Sequence, residues 1–276
     1  MLLPRCLIAT LASDMSRQKM GQHFLGDLAW RKRIFATLPH PNTNAHDDVW
    51  IEIGAGHGEM TEFLAADGRR VIAIEADPLL ATRLRQRAYD WPNVEVIEGD
   101  ILDLNFDKFA PPRFRVYGNL PYYITSPILH RLFEQAARIA SIHIVVQLEV
   151  AERIVSPPGR REYGYLSAAC QFYTEPKIVL RIPPGAFRPP PKVKSGLLQM
   201  NLPGERPSLG VSYEHAFLKF VQLCFGQKRK TLRNNLRSIV PDDRVHQILT
   251  DCNLALDARA EQLSLSQFAR LFKIVS

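Results

Sequence analysis

Cysteine is scarce in this chain of 276 residues. Cys6, Cys170, Cys224 and Cys252 stand far apart, and no Cys-x-x-Cys pair occurs. That scatter argues against a disulfide framework and against a zinc site, and it suits a reducing cytosol. Long apolar runs are missing too. No stretch approaches the roughly 18 residues that a membrane span needs, so the expectation is a soluble, cytoplasmic protein without a membrane partner. Internal repeats and low-complexity tracts are absent, and an apolar content of 46% excludes wholesale disorder. Acid is in deficit: 28 Asp and Glu against 35 Lys and Arg leave a net charge of +7. An excess of that size favours a polyanionic partner such as nucleic acid.

What is present falls into three parts. The stretch Met1–Ser13 has one Arg and a short apolar run like a signal peptide, but its apolar core is interrupted. Met15 or Met20 would serve equally well as a start, so residues 1–16 are expected to be an extension, disordered or preceding the true start. From Val49 short apolar runs alternate with helical periodicity. Strands are expected at Val49–Ile53, Arg70–Glu75, Val94–Ile97, Phe114–Tyr117 and Ile142–Leu148, with helices at Pro78–Ala88 and Ser126–Ala137. That alternation implies right-handed βαβ units and a mostly parallel α/β sheet. Lys177–Ile182 and Gly196–Leu202 look like two edge strands. Pro203–Gly210, with two prolines and two glycines, reads as a linker into purely helical patterns at Tyr213–Cys224, Lys228–Ile239, Asp243–Thr250 and Ser264–Val275. The expected division is a catalytic domain over 17–204 and a small helical domain over 205–276.

The block Glu52-Ile-Gly54-Ala-Gly56-His-Gly58 lies between the first strand and its helix, where glycine lets the backbone turn sharply near a ligand. A dinucleotide fingerprint wants a third glycine at position 59, which is Glu, and a carboxylate there would repel a pyrophosphate. A nucleoside without phosphates tolerates it. Glu75 ends the second strand 21 residues beyond Gly54, placed to accept from both ribose hydroxyls, and Asp100 follows the third strand, placed to accept from an adenine amino group. Singly, each is an ordinary carboxylate at a strand end. Together with the glycines they mark a nucleoside site without a phosphate cradle, for which S-adenosylmethionine is the obvious occupant and no metal is needed.

After the fourth strand comes Asn119-Leu120-Pro121-Tyr122. An aromatic exocyclic amine is a poor nucleophile because its lone pair is delocalised. The Asn119 oxygen and a neighbouring backbone carbonyl can hold both of its N–H groups and aim the developing lone pair at a methyl donor. Pro121 stiffens the turn and Tyr122 offers a stacking face, so catalysis rests on positioning and electrostatic matching. Phe187, before a triple proline, is a second candidate ring for a base extruded from its stack; a core phenylalanine is the plain alternative. Lys228, Arg229, Lys230, Arg233 and Arg237 form a cationic run with no acid between them, and Arg229, Arg233 and Arg237 would share one helix face. Such a stripe fits RNA phosphates; a solvated helix face is the bland alternative.

Taken together, Gly21–Leu25, Glu52–Gly58, Glu75, Gly99-Asp100, Gly118–Tyr122, Gln147–Arg153, Tyr163–Ser167, Phe187–Val193 and Gln227–Leu236 run in an order that resembles the KsgA/RsmA family, the small-subunit ribosomal RNA adenine dimethyltransferases. The resemblance implies a class I, Rossmann-like S-adenosylmethionine-dependent methyltransferase domain with a seven-stranded sheet, and a helical C-terminal domain. It implies N6-dimethylation of two adjacent adenines in the 3′-terminal hairpin of 16S rRNA on a pre-30S particle; nothing in the sequence demands more than a monomer. Carried across by position, His23, Leu25, Gly54, Gly56, Glu75, Asp100 and Asn119 would contact the cofactor. Two positions depart from the family pattern. His23 stands where Asn is usual, and Tyr123 where Asn is frequent; the larger ring at 123 either alters entry of the base or packs outward. The erythromycin-resistance methyltransferases acting on 23S rRNA are the nearest rival. A non-catalytic RNA-binding factor and a nicotinamide dehydrogenase are further alternatives.

Overall fold

A computed structural model describes residues 23–39, 49–227 and 230–275; the expected extension 1–16 lies outside them. The chain enters through helix α1 (Leu28–Phe35), capped by Asp27, whose carboxylate accepts from the Trp30 N–H at 3.1 Å. It then alternates as expected through β1 (Val49–Ile53), α2 (Thr61–Ala66), β2 (Arg70–Glu75), α3 (Pro78–Arg87), β3 (Val94–Glu98), β4 (Phe114–Asn119), α4 (Thr125–Phe133) and β5 (Ile139–Gln147). Helices α5 (Leu148–Val155) and α6 (Tyr165–Tyr173) follow, then β6 (Glu175–Ile182) and β7 (Ser195–Asn201). The remainder is helical: α7 (Glu214–Cys224), α8 (Leu232–Leu236), α9 (Asp242–Asp251) and α10 (Leu265–Val275).

The seven strands lie in the order β3-β2-β1-β4-β5-β7-β6, a Rossmann-like sheet whose pairings from β3 to β5 are all parallel. Every residue of β1 is buried, and so is β2 after Arg70, because a central parallel strand is covered on both faces. The chain runs outward from β1 to β3 and then returns to lay β4 on the other side of β1. The carboxyl ends of β1 and β4 therefore form the switch point at which open α/β sheets bind ligands.

Contacts group the chain into two units. The first holds the described residues up to Leu148 together with Ile178–Gln199, with a core that includes Leu25, Trp50, Leu64, Leu84, Tyr117, Phe187 and Leu197. The second joins Glu149–Lys177 to the chain from Met200 onward. Its centre is aromatic: Phe172 of α6 lies 5.3 Å from Phe217 of α7, and Phe225 lies 5.7 Å from Phe268 of α10. These contacts draw α6 into the helical unit, whereas the linker composition alone suggested a division at 204.

One element is much shorter than its sequence suggests. The helix expected over Lys228–Ile239 is reduced, among the described residues, to the five residues of α8. Thr231 ahead of it is extended (φ −66°, ψ 157°), and the Leu232 N–H donates to the Ala258 carbonyl at 2.7 Å instead of entering a preceding helical turn. Among the described residues no helix is long and apolar enough to cross a membrane.

Candidate active site

A cavity of about 250 Å³ opens at the carboxyl ends of β1 to β4, in the first unit. Ile53 and Gly54, Ile74 and Glu75, and Gly99 to Ile101 form one side; Asn119 to Ile124, with His23 and Phe24, form the other. His23, Gly54, Glu75, Asp100, Asn119, Leu120, Pro121 and Tyr122 thus line one cavity.

The glycine turn works by close approach. Gly56 sits at φ +58°, and a β-carbon there would stand 2.9 Å from the Phe24 ring. Its N–H points instead at Glu75 Oε2, 2.8 Å away, while the Asp77 N–H donates to Oε1 at 2.9 Å. Glu75 is almost wholly buried. Burial raises its pKa, and the two backbone donors pull it back down. Each oxygen keeps lone-pair capacity for a ligand. Gly56 therefore acts behind the cavity wall by orienting Glu75. Asp100 is exposed and accepts from the Leu102 N–H at 2.9 Å.

Asn119 is fixed from its nitrogen side. Its Nδ2 donates to the His23 carbonyl at 2.7 Å, which assigns Oδ1 as the free acceptor of the amide. The Tyr122 hydroxyl shares a 2.7 Å hydrogen bond with Ser195, and its ring lies 5.7 Å from that of His23 at 33°. Burial raises the Tyr122 pKa, the Ser195 contact opposing it, so a neutral phenol lines the cavity at ordinary pH. His23 Nδ1 lies 2.8 Å from the Pro189 carbonyl; a carbonyl only accepts, so Nδ1 carries the proton.

Two of the expected residues stand elsewhere. Leu25 belongs to the core, at 3% exposure, and Phe187 is wholly buried beside it. Phe187 does not face Tyr122 as the second half of a base sandwich. It anchors a loop that pairs with the entering chain: Phe24 and Arg188 exchange two backbone hydrogen bonds (3.0 and 2.8 Å), and the Asp27 N–H donates to Ala186 O at 3.1 Å. The ring thereby fixes the segment that presents His23 and Phe24.

Sequence reasoning passed over Phe24, which lines the cavity with its ring 4.7 Å from that of His57 and tilted to it by 49°, and Ser195, whose partner is 73 residues away. It also gave no separate role to Glu52, buried in β1 with Thr61 Oγ1 donating to it at 2.6 Å. Burial, chiefly, and the neighbouring charges of Glu59 and Glu75 push Glu52 up to about 8, so it is protonated at neutral pH.

Among the described residues, three carboxylates (Glu75, Asp77 and Asp100) border the cavity and no Lys or Arg does. Such a wall repels phosphate and suits hydroxyl donors and a cationic centre. The residues present therefore fit a positively charged nucleoside ligand.

In the second unit, Arg233 and Arg237 both clasp one carboxylate, Asp242: Arg233 at 2.9 and 3.1 Å, Arg237 at 2.7 and 2.8 Å. Acid is absent from the basic run itself but arrives from the start of α9. Lys230 is exposed; Lys228 and Arg229 lie outside the described residues, so a stripe shared by Arg229, Arg233 and Arg237 is not observed.

The profile of the family described as Ribosomal RNA adenine dimethylase matches residues 13–276. The chain is 38% identical to a "Ribosomal RNA small subunit methyltransferase A" from Koribacter versatilis over 98% of both chains. It is 39% identical to a protein of the same description from Acidobacterium capsulatum, over 98% of this chain and 95% of that one. Among solved structures, the 23S rRNA methyltransferase ErmE superposes with a TM-score of 0.69 at 29% identity, covering 91% of this chain and 99% of its own. A dimethyladenosine transferase from Plasmodium falciparum gives a TM-score of 0.76 at 23% identity, over 90% and 96%, and bears on the fold alone.

Proposed function

The chain belongs to the ribosomal RNA adenine dimethylase family, and from that premise we propose that it dimethylates N6 of two adjacent adenines in the 3′-terminal hairpin of 16S rRNA. It uses S-adenosylmethionine, acts in the cytoplasm on the pre-30S particle and works as a monomer. The observation that carries this reading is the tethered Asn119 amide, its nitrogen committed to His23 O and its oxygen left to accept inside a carboxylate-walled cavity.

When bound, S-adenosylmethionine supplies an electrophilic methyl group on a sulfonium and departs as a neutral thioether. Glu75 holds ribose hydroxyls, Asp100 accepts from the donor's adenine, and Gly54 admits the ligand to the backbone. Asn119 Oδ1 and a neighbouring carbonyl of the Asn119–Tyr122 turn accept the N6 hydrogens of the target base, drawing its lone pair out of conjugation. Tyr122, fixed by Ser195 and His23, stacks on the base. As each N6–carbon bond forms and the sulfur–carbon bond breaks, one N6 proton is lost to water; the remaining work is orientation, which suffices when the reacting atoms are held in line. Residues 205–276 recognise rRNA through Lys230, Arg233 and Arg237, with Lys228 and Arg229 extending the run.

Transfer of labelled methyl groups to undermethylated 30S particles, with 50S as control, tests the reading. N6,N6-dimethyladenosine on 30S alone is expected. Label on 50S alone would assign the sister activity on 23S rRNA, and label on neither would overturn the proposal.

A further inference from the structure

The turn after β4 carries two consecutive tyrosines held in opposite ways. The Ile124 N–H donates to Pro121 O at 3.2 Å, which makes Tyr122 and Tyr123 the central pair of a turn at the cavity rim. Tyr122 is half-buried and fastened by Ser195 and His23. Tyr123 borders the same cavity yet is 65% exposed, and no described residue hydrogen-bonds its side chain or stacks on its ring. A large ring standing in water on a hydrogen-bonded turn is a poor contribution to folding and a good one to binding, because an aromatic side chain offers a wide face at little cost in rotamer entropy.

Two further observations direct the assignment. Phe187 is wholly buried and presents no exposed face to RNA. Among the described residues the cavity lining carries carboxylates and no Lys or Arg, so that lining offers RNA no cationic partner for a phosphate. What Tyr123 offers a nucleotide strand there is a face for a base.

We propose that Tyr123 is a stacking platform for the unpaired base that flanks the target, so that of two adjacent purines one enters the cavity against Tyr122 while its neighbour rests on Tyr123. The inference deepens the proposed function and rests on it for the identity of the RNA. It makes Tyr123 a positioning residue for the substrate, without contact to the transferred methyl.

Base–aromatic stacking is worth enough to shift affinity about tenfold or more when the ring is removed. Steady-state methylation of undermethylated 30S should therefore show KM for the particle raised about tenfold in Tyr123→Ala, kcat within twofold of wild type, and Tyr123→Phe close to wild type in both. A second measurement does not depend on turnover. A single-stranded RNA oligonucleotide containing two adjacent adenines, with 2-aminopurine replacing one or the other, should lose fluorescence on the wild-type protein through stacking. Tyr123→Ala should restore the fluorescence of one position and leave the other quenched. A Tyr123→Ala enzyme with unchanged KM and unchanged quenching overturns the proposal, as does a fall in kcat at constant KM. Wild type failing to methylate 30S would defeat the functional reading instead, and the comparison of quenching between wild type and Tyr123→Ala would still decide the platform.

Discussion

Glu75 in the first unit and Asp242 in the second are both carboxylates caught between two donors, and they are held under opposite conditions. Glu75 is 4% exposed and its donors are backbone N–H groups of the glycine turn and of Asp77, which cannot swing away. Asp242 is about half exposed and its donors are two guanidinium groups at the ends of flexible stems. The two guanidinium hydrogen bonds hold its carboxyl well below the usual carboxylate range. Salt and competing anions barely reach the first arrangement and readily exchange with the second. The cavity is thus preorganised for one small ligand. We propose that the basic face trades its internal anion for a phosphate.

Predictions follow from attacking each side of that contrast, beginning with the rigid one. Phe187 supports it from beneath. Phe187→Ala should cost about 3–5 kcal/mol of stability in urea unfolding and raise the KM for S-adenosylmethionine, because the segment carrying His23 and Phe24 loses its anchor. Phe187→Leu should recover most of both. A variant stable yet defective only with RNA would return the ring to the base. Asn119→Ala removes a positioned acceptor and should lower kcat by about 10²–10³, as loss of one catalytic hydrogen-bonding group does elsewhere. Donor affinity, measured by calorimetry, should change little, and near-normal turnover would sink the role.

Glu52 sharpens the contrast through pH. Its pKa rises from an ordinary 4.5 to about 8 on folding, so between those values the folded chain holds a proton that the unfolded chain has lost. The Glu52 contribution to stability falls as pH rises through that window, by up to about 1.4 kcal/mol per pH unit. Glu52→Gln keeps an acceptor for Thr61 and has nothing to titrate at that position, while the buried His143, held neutral in the fold, titrates with the opposite sign in both proteins. Urea unfolding at pH 5.5 and 7.5 should therefore show wild type losing about 2–3 kcal/mol relative to Glu52→Gln.

How far the sequence could be read follows the same division. The β1–β5 alternation and the cavity residues were legible because each is signalled by neighbours in the chain: buried runs for central strands, glycines at a turn, carboxylates at strand ends. The misreadings involve partners distant in sequence. Phe187 looks like a free aromatic beside three prolines until its loop is paired with Phe24, more than 160 residues earlier. The basic run looks like one long helix free of acid until Ala258 takes the Leu232 N–H and Asp242 takes both arginines. Ser195 carries no local signal at all; only the fold brings it to Tyr122.

The smallest expected effect tests the exchangeable side. If Asp242 stands in for a phosphate, Asp242→Asn leaves two guanidinium groups unneutralised, and both become available to RNA. Filter binding to undermethylated 30S over a series of KCl concentrations should then show affinity raised less than tenfold at low salt. The plot of log K against log salt should steepen by one to two, since each phosphate contact adds roughly 0.7 to 0.9 to the slope. Reversal of Arg233 and Arg237 to Glu should do the opposite, weakening binding and flattening the slope. Acidification cannot imitate the Asn variant. The two arginines hold the Asp242 carboxyl well below the usual carboxylate range, so at pH 5.5 it is still ionised and binding should retain the wild-type slope. Were Asp242→Asn to weaken binding instead, the carboxylate would be bracing the two arginines for RNA, and the second unit would be as preorganised as the first.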